Sequence, residues 1–293
     1  MPHGGGEGYD PVGARDIRAA RRARKRRMRT GRRRGAPRTA LAIAFVAFLV
    51  FGPQLIERYL VPAVEPYLPG ADVPPRGVDA AERPLGSPPA AGDSTSYRLF
   101  PAPDDGQEFL AYDPCRPVHY VVRPDHAPPG SDALVREAVA EVAAATGLRF
   151  VDDGATDEAP SDDRELYQPD RYGKKWAPVL IAWSTPEHNP ELAGDIAGMG
   201  GSSYTSTAGS PWVFVAGQVE LDAPDLADLM DHPLGREHVR AIIMHELGHV
   251  VGLDHVDDPT QLMHADANNV TRFGDGDLAG LARLGAGACV PEL

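Results

Sequence analysis

Hydrophobic and polar positions along the chain divide it into four stretches. The most apolar run extends from Ala40 to Phe51, and Leu55 and Ile56 prolong it past Gly52-Pro53 to about 17 residues, the lower end of what spans a bilayer. From there to residue 105 there is no sustained period, and eleven prolines fall between Pro53 and Pro103. Periodic patterning begins after Phe109. Pro117 to Arg123 is a short β-branched and aromatic run, which predicts a strand. Ser131 stands at a helix N-cap position, followed by Leu134, Val135, Ala138, Val139, Val142 and Ala143 at helical spacing and a stop at Gly147. Leu148 to Val151 and Pro178 to Trp183 predict two more strands, the second an unbroken apolar run that suits a buried position. Gly198 to Thr207, rich in Gly, Ser and Thr, fits an exposed edge strand or loop. Trp212 to Val215 with Gln218 to Leu221 gives another strand or hairpin, and helices follow at 235–251 and 275–285. Strands separated by one helix and followed by helices predict a mixed α/β (α+β) domain of about 185 residues, enough to bury a sizeable core.

Charge sharpens the division. The net charge is −13, yet residues 1–38 carry 13 of the 29 Lys and Arg and only three of the 42 acidic residues. The first stretch is thus +10 and the remainder −23, so the two parts are expected to face different surroundings. The reading by segment is a basic cytoplasmic tail at 1–39, a membrane signal-anchor at 40–57, a Pro-rich linker at 58–105 and a folded domain at 106–293. Arg-rich residues before an apolar segment stay in the cytoplasm, which places the domain outside the cell membrane. A cleaved signal peptide, leaving a secreted product, and a buried core helix are the alternatives for 40–57. The basic run from Arg21 to Arg27 reads as a topology determinant or a contact for anionic lipid, and no nucleic-acid partner is expected. The linker is expected to be extended, reaching on the order of 100 Å.

The candidate chemistry lies in His245-Glu-Leu-Gly-His249-Val-Val-Gly252-Leu-Asp-His255. Positions i and i+4 share one helix face, so His245 and His249 can reach one ion. Gly252 can end the helix in a left-handed conformation and return His255 as a third ligand. Three protein ligands leave a fourth position for water, the pattern of a catalytic Zn²⁺ site, with one ion per chain. Glu246, adjacent to the first ligand, is placed as general base. A bare H-E-x-x-H arises by chance in about 4% of chains this long, and the further Gly and His reduce that to about one in ten thousand.

The stretch 245–255 matches the metzincin signature H-E-x-x-H-x-x-G-x-x-H and most resembles the matrixin branch. Gln261-Leu-Met263 is similar to that clan's Met-turn, and Phe273 to Leu284 to the helix that follows it. The resemblance implies a zincin-like domain with about five strands over an active-site helix, substrate along an edge strand within 196–206, and Met263 beneath the metal. It implies hydrolysis of internal peptide bonds in protein or peptide substrates. The alternative is a membrane-anchored metal-binding module without catalysis. His264 replaces the Tyr that often follows the Met-turn methionine, and reads as a solvated residue or a fourth metal-seeking group. The family's blocking Cys motif is absent. His119, His126, His188, His232 and His238 lack ligand spacing, and calcium is left open. Cys115 and Cys289, the only two cysteines, are expected to form a disulfide in an exported domain; two buried thiols, or Cys115 as a zinc-blocking thiol, are the alternatives.

Overall fold

The computed structural model describes residues 36–293, except 69, 208, 267 and 268. The basic tail therefore lies outside the described residues as far as residue 35. The chain divides into two units, Met1–Val61 and Pro62–Leu293.

In the first unit the apolar run lies in helix α1, Ala36–Leu55, followed by a π-helical segment, Ile56–Leu60. Leu41, Ile43, Phe45, Phe48 and Phe51 are exposed on it. The expected membrane span finds no support: among the described residues no helix is long and apolar enough to cross a membrane. The uninterrupted apolar run of 12 residues from Ala40 to Phe51 rises only about 18 Å against a hydrocarbon core of about 30 Å. Gly52 and Pro53 then interrupt it, and Glu57 follows.

The second unit is built from a two-residue strand β1 (Arg98–Leu99), β2 (Val118–Arg123), helix α2 (Ser131–Thr146), β3 (Phe150–Ala155), β4 (Val179–Ser184), β5 (Gly198–Thr205), β6 (Val213–Asp222), α3 (Ala223–Met230), α4 (Gly235–Val251), β7 (Leu253–Asp254) and α5 (Asp275–Leu284). Five strands form one sheet in the order β3-β2-β4-β6-β5. The first four run parallel and β5 pairs antiparallel to β6 at one edge. Every residue of β4 is buried. Val179, Ile181 and Trp183 join the main core with residues of α2 and α4, while Leu180 and Ala182 pack with Val121 and Tyr172. A strand covered on both faces needs no polar alternation, which is why 178–183 reads as one apolar run.

Local details depart from the sequence reading. Gly130, left-handed at φ 77°, stands at the N-cap of α2, and Ser131 is its first helical residue; Gly147 caps the other end as read. Residues 213–215 and 218–221 belong to one ten-residue strand, β6, and Trp212 precedes it. Helix α3 was not predicted. Asp222 accepts a hydrogen bond from Asp225 N at its start and Pro224 occupies its first turn, both ordinary start signals, but eight residues are too few to show a helical period.

The stretch read as a tether is instead laid on the domain from Gly77 onward. Gly77 N donates to Leu293 O (3.0 Å), Ala81 N to Cys115 O (2.8 Å) and Leu85 N to Pro114 O (2.9 Å). Proline removes donors, but these N–H groups between the prolines find carbonyls on the domain. β1 pairs antiparallel with β7, Leu99 opposite Leu253. Cys115 and Cys289 are joined, with Cα atoms 5.3 Å apart, so Cys115 has no free thiol to block a metal.

Candidate metal centre

Helix α4 carries two of the three histidines. His245 and His249 lie one turn apart, and α4 ends at Gly252, whose φ of 121° is a region that side chains disfavour. Its N–H donates to the carbonyls of Gly248 and His249 (both 3.1 Å), and the chain turns into β7 and His255. A Cβ at 252 would stand 2.9 Å from both Leu110 O and Leu284 Cδ2. Gly252→Ala is therefore expected to lower stability by about 1–3 kcal/mol, the usual scale of enforced backbone strain, and to loosen metal binding with it. Thermal unfolding and a chelator competition check this; an unchanged melting temperature refutes the role given to the turn.

The three imidazoles converge. Nε2 of His245 lies 3.0 Å from Nε2 of His255 and 3.2 Å from that of His249, and the last pair is 3.1 Å apart. His245 Nδ1 donates to Leu262 O and His249 Nδ1 to Leu253 O, both at 2.8 Å. A carbonyl only accepts, so in the neutral rings the hydrogen sits on Nδ1 and Nε2 presents a lone pair. Lone pairs facing each other at these distances repel unless a cation lies between them. Tetrahedral ligands 2.0–2.1 Å from zinc would be about 3.3 Å apart, close to what is seen. The donor set fits a zinc ion. Burial, reinforced by the neighbouring His249, pushes His245 down to about 4, and burial likewise lowers His249. Both are thus neutral, the form that ligates, at neutral pH.

Glu246 is buried, lines the same cleft as the three histidines, and has its side chain packed near β5. A Cβ at Gly198 would come within 3.0 Å of its Cγ, and one at Gly200 would collide with its carbonyl oxygen, so a glycine-rich β5 is what lets the edge strand lie against α4. Burial pushes the Glu246 carboxyl up to about 8. A dication nearby acts in the opposite sense and favours the carboxylate.

Met263 is buried beneath α4, where a Cβ at Gly248 would stand 2.6 Å from its Sδ. The turn bearing it is fixed by two side chains that sequence reasoning missed. Asp277, fully buried, accepts from Leu262 N (2.6 Å), Gly274 N (2.9 Å) and Met263 N (3.4 Å). Gln261 Oε1 accepts from Gly276 N (2.8 Å) and Asp277 N (3.1 Å). Burial outweighs these hydrogen bonds and raises Asp277 above the usual carboxylate range. The available signal was position, since an Asp in the first turn of a helix often caps it. His264 lines the cleft beside the three histidines, its Nδ1 engaged with backbone groups of Asp266. Among the described residues it does not join the trio. The other group with ligand proximity is Asp113, Cys115 and Cys289, whose sulfurs are already paired.

An open cleft of about 560 Å³ crosses the site, bounded by Asp195–Gly200 on one side and by Leu229, His238, Ile242 and Val270 on another. The expected edge strand within 196–206 is β5, and it forms this wall.

A mixed sheet over a helix carrying H-E-x-x-H, with a third His beyond a glycine turn and a buried methionine below, is the arrangement that the resemblance to metzincins implies. Residues 172–284 match the matrixin family model. No curated protein matches the chain. Among solved structures the chain is similar to archaemetzincin from Methanopyrus kandleri, at 19% identity over 57% of this chain and 93% of that one, with a TM-score of 0.34. A likeness this low adds nothing to the family match.

Proposed function

We propose that the chain is a zinc-dependent endopeptidase that cleaves internal peptide bonds of proteins outside the cytoplasm. The observation that carries this reading is the convergence of three Nε2 atoms within 3.2 Å, at a cleft walled by an edge strand with Glu246 buried between them. His245, His249 and His255 would hold the ion. A bound Zn²⁺ supplies Lewis acidity towards the scissile carbonyl and lowers the pKa of water. Glu246 accepts the proton of the attacking water and delivers it to the leaving amine. The outer side of β5 pairs with no strand among the described residues, so its N–H and C=O groups can align an extended peptide by strand addition. The Cys115–Cys289 bond supports an oxidising compartment, hence export.

The test is digestion of a proteome-derived peptide library with the purified chain. Internal cleavage is expected to stop with a chelator, to return with added Zn²⁺, and to be insensitive to serine- and cysteine-directed inhibitors. Cleavage that persists in a chelator, or no cleavage by zinc-loaded protein, overturns the proposal.

A further inference from the structure

The stretch that the sequence presents as the end of a linker lies directly against the metal centre. Three consecutive residues, Arg98 to Phe100, hold three consecutive residues of the loop between the second and third histidines. Phe100 N donates to Gly252 O at 3.0 Å, Leu99 pairs with Leu253, and Arg98 pairs with Asp254. Each of the loop residues acts on the site. Gly252 ends α4. Leu253 O fixes Nδ1 of His249, and Asp254 Oδ1 accepts from the backbone N–H of His255 at 2.7 Å. The Phe100 ring lies against the His249 imidazole, with centroids 6.1 Å apart and planes tilted by 39°. Phe100 O in turn accepts from Leu110 N (2.9 Å), which ties the segment to the start of the domain.

We propose that Arg98–Phe100 is a built-in support of the metal centre and that Phe100 is a positioning residue for His249. A two-residue strand cannot stabilise itself, and its ladder with β7 is held by the packing of Leu99 and the adjoining Phe100 against the core. Removing the ring opens the back of His249 to water, which competes for the Leu253 carbonyl that sets the imidazole's tautomer and direction. The same loss frees residues 252–254 and with them the approach of His255. The metal site thus depends on a segment some 150 residues upstream in the chain, and not on α4 and its following loop alone. The inference rests on the metal site of the proposed function but not on peptide cleavage.

The test measures zinc affinity by competition with a chromophoric chelator, and the visible absorption spectrum of the Co²⁺-loaded protein, in the full chain. Phe100→Ala is expected to weaken zinc binding about 10–100-fold, the usual scale for losing a group that orients a ligand, and to alter the Co²⁺ spectrum. Phe100→Tyr, which keeps the ring, is expected to bind zinc like the unmodified chain. Val290→Ala, in a separate apolar cluster with Val213 and Leu293, serves as a control that lowers the melting temperature without touching the site. Should Phe100→Ala not fold, Phe100→Leu, which keeps apolar bulk but no ring, carries the test with a smaller loss in the same direction. The proposal is overturned if the Phe100 variants bind zinc as the unmodified chain does, or if Val290→Ala weakens zinc binding equally at equal loss of stability. An unmodified chain that binds no zinc sinks both this inference and the proposed function. One that binds zinc but cleaves nothing sinks only the latter.

Discussion

Glu246→Gln is expected to retain close to one zinc per chain while peptide cleavage falls by about 10²–10⁴-fold, the scale of losing a general base. The ligand trio is complete without Glu246: three Nε2 atoms meet one another, Glu246 is not part of that cluster, and its Cγ packs near Gly198 of β5. Gln has nearly the same shape, so the packing against Gly198 is kept and only the proton acceptor is lost. His249→Ala or His255→Ala is expected to lose metal and cleavage together, because two imidazoles rarely hold zinc against a chelator. Metal content after dialysis, read beside kcat/KM, separates the two classes. A Glu246→Gln protein with full activity refutes the assigned role, and so does one that loses zinc as the His variants do.

Opening the Cys115–Cys289 bond is expected to cost about 4–5 kcal/mol on chain-entropy grounds, because it closes a loop with a sequence separation of 174. For a domain of this size that lowers the melting temperature by about 10 °C or more. The bond reinforces other ties between the same two regions. Asp113 accepts from Cys115 N (2.7 Å) and from Val290 N (3.1 Å), and Arg116 donates to the carbonyls of Val290, Pro291 and Leu293. These hold the two sulfurs' backbones near each other, so the Cys115→Ser/Cys289→Ser protein is expected to fold, with the loss appearing as stability. Calorimetry of that variant measures the cost. Alkylation of the unreduced exported protein, followed by intact mass, should show no added label. Two labelled thiols, or an unchanged melting temperature in the variant, contradict the expectation.

The convergence of the three histidines was legible because their spacing is the helix's own: His245 and His249 are neighbours on any α-helix, and a glycine three residues later is a turn whatever surrounds it. The buried strand β4 and the edge strand β5 were legible for similar reasons, one by continuous apolar residues and the other by its Gly, Ser and Thr content. What escaped depends on distant partners. β1 has two residues, too few to carry a period, and its partner β7 lies about 155 residues away. The burial of Asp277 follows from three N–H groups at positions 262, 263 and 274, and no local pattern reports that a carboxylate will be enclosed.

The carbonyls of Leu253 and Leu262 that aim His249 and His245 bind the ion's fate to the order of assembly. Helix α4 can form from local interactions, but a nascent chain with α4 alone offers two freely rotating imidazoles and little affinity. Only after the Leu253 turn and the Leu262 turn have docked does a preorganised trio exist. On the proposed function, zinc capture then marks the completion of folding, and not its beginning. Since the ion binds the finished state in preference to the unfolded one, the free zinc level around the domain becomes a determinant of its lifetime. Each tenfold rise above the dissociation constant adds about 1.4 kcal/mol in favour of the native state. A compartment depleted of zinc would hold a domain that unfolds more often, and is degraded sooner, without any change in its sequence.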